Sequence, residues 1–122
     1  MRVLLDTHVL LWAVLNDRRL TSAQVKAISE GEVYLSSVSV WEIGIKCAIG
    51  KLTVPKNLFE IAVDAGCRPL SISWLHAESA AALPFHHRDP FDRMLIAQAQ
   101  CEGLSLASSD SKFRAYDVAL VR

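Results

Sequence analysis

The sequence predicts an α/β sandwich, a mainly parallel sheet of five strands with helices packed against it. Three observations predict it. Short apolar runs alternate with longer amphipathic stretches from one end of the 122-residue chain to the other. Helix-length segments separate the strand-like runs, which implies parallel pairing through right-handed crossovers. Capping residues precede the helical stretches and glycines close several of them.

Taken in order, Val3-Leu4-Leu5 reads as the first strand and Val9 to Leu15 as a helix. Thr21 or Ser22 caps a second helix running to about Glu30, where Gly31 ends it. Val33-Tyr34-Leu35 is the second strand, and Ser36 or Ser37 caps a helix that ends at Gly50. Pro55-Lys56-Asn57 opens a further helix, closed by Gly66; Pro69 to Ile72 is the third strand and Trp74 to Leu83 a helix. After the loop PFHHRDP, Phe91 to Glu102 is helical and Gly103 stops it. Leu104 to Ala107, a short helix over Ser111 to Tyr116, and Val118 to Val121 complete the chain. No repeat or linker interrupts it, so one domain over residues 1–122 is expected.

Composition narrows the class. A hydrophobic fraction of 52% supplies a core, yet no apolar run approaches the roughly 18 residues of a membrane span. No basic region followed by a small-residue cleavage site is evident at the start. A cytoplasmic protein without membrane contact is therefore expected. Thirteen basic and thirteen acidic residues balance to a net charge of zero, which leaves nucleic-acid binding to any local basic patch. Cys47, Cys67 and Cys101 are odd in number and form no C-x-x-C pair, so they read as reduced core thiols.

Four acids stand out by position. In open α/β sheets, ligands bind beyond the carboxyl ends of the strands. Asp6 follows the first strand directly, inside the oily run VLLDTHVLLW, and Asp110 lies just past the fourth. Glu42 and Asp92 are placed in the first turns of helices that begin at the same edge. Converging carboxylates repel unless a cation sits among them, and Mg²⁺ or Mn²⁺ is the natural hard counter-ion. Each acid also has a structural explanation. Asp6 can cap the next helix, Glu42 can pair with Lys46 four residues on, and Asp110 sits in cap-like Ser-Ser-Asp-Ser. Asp89 fits an N-cap, Pro90 the first helical position, and Asp92 can return a bond to the cap. His8, His76, His86 and His87 lack zinc-ligand spacing; His86-His87-Arg88 reads as a polar rim.

The segments LLDTHVLLW, SSVSVWEIGIKCAIGKL and HRDPFDRMLIAQAQCEGLSLASSD resemble the PIN-domain ribonucleases, and among them the VapC-type toxins of toxin–antitoxin pairs. The resemblance runs from Leu4 to about Val121 and implies a PIN-like three-layer sandwich. It implies that Asp6, Glu42, Asp92 and Asp110 are the catalytic, metal-binding acids, with Asp6 and Asp92 the main ligands of Mg²⁺ or Mn²⁺. Thr7 and Ser108 would be supporting hydroxyls, Ser108 standing where the family often shows Thr. The implied chemistry is in-line attack of water on an RNA phosphodiester, leaving 5′-phosphate and 3′-hydroxyl ends. Lys46, Lys51, Lys56, Arg88 and Arg93 are candidates for a basic rim, with Lys46, Arg88 and Arg93 the possible RNA contacts. A homodimer and a small antitoxin that covers the cleft are the implied partners, with Trp12, Ile28 and Trp41 candidates for the apolar groove.

Other functions remain open at this level. A PIN nuclease in RNA maturation or DNA processing would need no antitoxin, and a weakly active member would serve as an RNA-binding module. A receiver domain would need an Asp near residue 55, where the chain reads KLTVPKN. A haloacid-type phosphatase would need Asp-x-Asp, whereas Asp6-Thr7-His8 lacks the second acid.

Overall fold

A computed structural model describes residues 1–122. The strands are β1 (Arg2–Leu5), β2 (Glu32–Ser36), β3 (Arg68–Leu70), β4 (Ser105–Ala107) and β5 (Leu120–Val121). The helices are α1 (Thr7–Val14), α2 (Ser22–Glu30), α3 (Ser37–Ala48), α4 (Leu58–Asp64), α5 (Trp74–Ala82) and α6 (Pro90–Glu102), followed by a 3-10 helix over Ser111–Ala115. All strand pairings are parallel, in the order β3-β2-β1-β4-β5. The expectation of a mainly parallel five-stranded sheet is met.

Central strand β1 explains the sandwich. Its neighbours hydrogen-bond on both sides, so an unbroken apolar run is what a strand buried on both faces requires. Side chains alternate between faces. Val3 and Leu5 join one core with Val9, Leu10, Ala27, Leu35, Leu58 and Ala62, which packs α1, α2 and α4 against the sheet. Leu4 points the other way, into a core built with Leu95, Ile96, Leu106 and Phe113 under α5 and α6. Helix α3 serves both, through Ile43 and Val38 respectively.

Element ends differ from expectation where a cap decides them. Helix α1 starts at Thr7 rather than Val9, because the Asp6 carboxylate accepts the Val9 N–H at 2.7 Å. The last strand covers only Leu120–Val121, since a Val118 N–H to Tyr116 carbonyl bond holds the preceding residues in a turn. Gly103 ends α6 with φ 65°, a left-handed conformation that favours glycine. No helix is long and apolar enough to cross a membrane. The three cysteines are free and half-buried.

The strand order reverses at β1. From it the chain steps outward through β2 to β3, then returns to the other side for β4 and β5. Such a switch point opens a crevice at the carboxyl ends of β1 and β4.

Candidate active site

That crevice holds the acids. Asp6, Thr7, Glu42, Asp92 and Asp110 line one cleft of about 170 Å³, together with His8, Lys46, His87, Asp89 and Lys112. Asp6 arrives directly from β1, and its own N–H donates to the Ala107 carbonyl of β4 at 3.0 Å. Glu42 projects from the second turn of α3 rather than the first, because Ser36 caps a helix that already begins at Ser37; Asp92 lies in the first turn of α6, and Asp110 caps the 3-10 helix after β4. All four acids expected from the sequence therefore meet at one sheet edge.

Their structural duties are present as well. Asp6 caps α1, and Asp110 accepts the Lys112 N–H at 2.9 Å. Glu42 takes the ion pair from Lys46 at 2.6 Å and a bond from the Thr7 hydroxyl, also at 2.6 Å. Thr7 Oγ1 also lies 3.0 Å from Ser39 Oγ. Thr7 has one hydroxyl proton, which the carboxylate takes, so Ser39 is the donor in the second contact. Capping and site-building are not alternatives here: the bond that caps a helix also fixes the carboxylate.

Burial sets the electrostatics of two of these acids. Burial pushes the Asp6 carboxyl above its ordinary range, a rise that the Ser108 hydroxyl and the Val9 N–H partly offset. Burial also lifts Asp92 to about 6, with Asp89 adding repulsion and His87 opposing it. Ser108 is fully buried and accepts the Asp110 N–H at 3.1 Å, tying the β1 and β4 acids together.

His87 is the residue that sequence spacing missed. Its Nε2 lies 2.8 Å from Asp92 Oδ2, and the ring is buried edge-on against Phe113. One ligand atom each from His87, Asp92 and Asp110 falls within 4.8 Å of the others. Neither Asp6 nor Glu42 belongs to that tightest set, because Val9 and the Thr7–Lys46 pair respectively hold their carboxylates. Asp6 and Asp92, the pair expected as main ligands, line the same cleft, and His87 joins Asp92 and Asp110 as a further donor there. His76 completes a capping box with Ser73 and meets Glu102 at 2.8 Å, His8 stacks on Trp12, and His86 packs edge-on to Tyr116.

Arg93 requires a correction. As a rim residue it was expected to face RNA. It is instead buried, and its guanidinium donates to the carbonyls of Ala80, Leu83, Pro84 and His87 at 2.9–3.3 Å. Neither does Asp92 return a bond to the α6 cap: Asp89 accepts the Phe91 and Asp92 N–H groups, and the Asp92 carboxylate turns to His87. Lys46 lines the cleft but is occupied by Glu42, whereas Arg88 stands exposed beside it. Lys51 and Lys56 are exposed and outside the cleft. Of the apolar groove candidates, Trp41 is 62% exposed, while Trp12 and Ile28 pack half-buried against the core.

The Thr7–Glu42 bond supplies one test. Thr7→Val removes the only hydroxyl donor to a buried carboxylate, so turnover at this cleft should fall about 10- to 100-fold, the scale for a partner that orients a site side chain. The cost in stability should be about 1–3 kcal/mol. Initial rates and thermal melts of the same preparation check both.

The chain matches known proteins over nearly its whole length. A PIN-domain family model matches residues 3–119. Ribonuclease VapC22 of Mycobacterium tuberculosis is 32% identical over 123 residues, covering 93% of this chain and 91% of that protein. VapBC2 from Rickettsia felis, solved bound to a DNA fragment from its promoter, superposes with a TM-score of 0.72 at 14% identity, covering 98% and 97% of the two chains. A toxin–antitoxin complex from Klebsiella pneumoniae superposes with a TM-score of 0.71 at 20% identity, covering 98% and 96%. At those identities the two structures establish a shared fold, and the family match with the VapC22 similarity establishes the lineage: the chain belongs to the PIN-domain family.

Proposed function

We propose that the chain, a single domain over residues 1–122, is a Mg²⁺- or Mn²⁺-dependent endoribonuclease and the toxin of a toxin–antitoxin pair. One observation carries the reading: Asp6, Glu42, Asp92 and Asp110 come from four separate elements and line one cleft at the switch point of the sheet. Similarity to ribonuclease VapC22 supports the RNA substrate. The VapBC2 and Klebsiella complexes support a small antitoxin as partner. A cytoplasmic homodimer is part of the same reading, with exposed Trp41 on the surface offered to partners.

The donor set fits a hard cation. It consists of carboxylates, with the His87 and His8 imidazoles and hydroxyls nearby and no thiolate, which is oxygen-rich chemistry suited to Mg²⁺ or Mn²⁺. Burial raises the Asp6 and Asp92 carboxyls, and a bound cation would favour their charged forms. His87, Asp92 and Asp110 would hold such an ion, with Asp6 and Glu42 lining the same cleft. When bound, the ion supplies Lewis acidity that polarises a phosphoryl oxygen and makes water nucleophilic near neutral pH.

The chain's own residues do the positioning. Thr7 and Lys46 hold Glu42 in one orientation, and Ser108 links the Asp6 carboxylate to the Asp110 backbone N–H, bridging the ends of β1 and β4. His87 holds one oxygen of Asp92 and leaves the other available. In the overall reaction a water oxygen bonds to phosphorus, the P–O3′ bond breaks, and the departing oxygen takes a proton.

Purified protein should cleave RNA with multiple turnover, leaving 5′-phosphate and 3′-hydroxyl ends. Chelation should abolish cleavage, Mg²⁺ or Mn²⁺ should restore it, and the same ions should raise the melting temperature by mass action. Cleavage that survives chelation overturns the metal dependence. Expression alone should arrest growth, and co-expression with the product of a small gene immediately upstream should relieve it. Harmless expression of the lone chain overturns the toxin role.

A further inference from the structure

Beside the acidic cleft lies a second, more open recess of about 450 Å³, lined by Phe85, His86, His87, Arg88, Asp89 and Lys112. It shares His87, Asp89 and Lys112 with the acidic cleft, so the two are continuous. Phe85 is 79% exposed. A lone exposed apolar side chain needs no explanation, but this ring is held in place. The Arg93 guanidinium lies over one of its faces, 4.4 Å from the ring centre. Arg93 itself is locked by its bonds to the carbonyls of Ala80, Leu83, Pro84 and His87. A fixed cation therefore backs one face, and the opposite face is open to solvent.

The surrounding charge has a matching sense. Arg88 and Lys112 are exposed, and neither takes part in an ion pair of the fold. The Asp89 carboxylate is already committed to two N–H groups of α6. An open aromatic face next to two free cations is the combination that binds unpaired nucleotides: stacking takes the base and the cations take the phosphate. Bases in a duplex stack on one another, which hides the face that Phe85 would need.

We propose that the Phe85–Arg88–Lys112 recess is a subsite for an unpaired nucleotide flanking the scissile phosphate. The base stacks on the open face of Phe85, and Arg88 and Lys112 hold the adjoining phosphate. This deepens the ribonuclease reading and rests on it for the scissile bond, but binding is measurable without cleavage.

The test uses a short fluorescent single-stranded RNA, fluorescence anisotropy, and the full chain carrying Asp6→Asn to prevent cleavage. Adding Phe85→Ala should weaken binding roughly 5- to 100-fold, the range for loss of one stacked base. Phe85→Tyr, which keeps the ring, should bind as the parent does. Arg88→Gln should weaken binding and make it less salt-dependent, by about one unit of the log–log slope. A scan of abasic substitutions should find one position where removing the base weakens binding to the parent but not to Phe85→Ala. Parent and Phe85→Ala binding within twofold overturns the subsite. Equal affinity for blunt duplex overturns it too, as does a change in oligomeric mass with unchanged RNA binding. If RNA binds as described but the unmutated protein never cleaves it, the nuclease reading fails and the subsite stands.

Discussion

Asp92→Asn is expected to abolish RNA cleavage and to raise the stability of the metal-free protein. The activity loss should exceed the roughly 100-fold typical of a residue that only orients a metal ligand, because Asp92 is itself in the tightest donor set. The stability gain follows from linkage. Burial lifts the folded-state Asp92 carboxyl to about 6, from an ordinary value of 3.8. An acid whose pKa rises on folding binds its proton more tightly in the native state. Its penalty is absent below about pH 4, grows as pH rises through the window from about 4 to 6, and is constant above it. At neutral pH the charge costs about 1–3 kcal/mol, allowing for partial solvent access. Asparagine removes that charge, and its carbonyl can still accept from His87 Nε2.

Melts in chelator should therefore show the variant higher by roughly 3–10 °C at pH 7.5, with the difference shrinking toward pH 4. Divalent ions should raise the parent's melting temperature and move the variant's much less. Retained cleavage, or a variant less stable than the parent at pH 7.5, refutes the placement of Asp92 as a metal ligand. Asp6→Asn should behave alike, since asparagine is also a good N-cap. Asp6→Ala would confound the result by removing the cap of α1, worth about 1 kcal/mol.

Arg93→Lys is expected to be nearly as damaging to stability as Arg93→Ala, with losses of about 2–5 kcal/mol, because several buried carbonyls lose their donors at once. Arg93 is buried and donates to carbonyls contributed by Ala80, Leu83, Pro84 and His87. The guanidinium meets them because its donors form a rigid planar fork; a lysine ammonium is a single point and cannot span the same carbonyls. The consequence reaches the site. Tyr116 braces the same loop, donating its hydroxyl to the Pro84 carbonyl at 2.7 Å and accepting the His87 N–H at 2.8 Å. With Arg93 gone, one of the two braces that hold His87 against Asp92 is lost. Proteolysis should then cut first within residues 84–88, and cleavage activity should fall even where the variant remains folded. Stability within about 1 kcal/mol of the parent for Arg93→Lys would show that the fork is not what holds the loop.

The two predictions turn on neighbouring residues with opposite fates, and their separation shows where sequence reading stops. Asp92 and Arg93 are adjacent, both charged, and both on the first turn of α6. Successive helical residues project about 100° apart. One faces the cleft and the other turns inward under the 84–87 loop. Nothing local distinguishes a rim arginine from an interior one, because the decisive partners are backbone carbonyls, which every residue possesses. His87 was hidden for a related reason. Metal-ligand spacing patterns describe residues close in sequence on one element, whereas His87 meets Asp110 across 23 positions and only after α6 and β4 have folded.

Much else was determined by the sequence itself. The alternation of apolar runs with capped amphipathic stretches is a local signal, and it sufficed for the order and type of every element. The parallel sheet followed, because helix-length connections leave little alternative. Since ligand sites in such sheets lie beyond the strand ends, the residues just after β1 and β4 and early in α3 and α6 already marked Asp6, Asp110, Glu42 and Asp92 as a convergent set. What only the tertiary structure decided is how each of those charges is held. Asp6 is turned to an N–H, Glu42 to Thr7 and Lys46, Asp92 to His87, and Arg93 away from the cleft. Those orientations depend on desolvation and on bonds to distant backbone groups, quantities that exist only once the chain is packed.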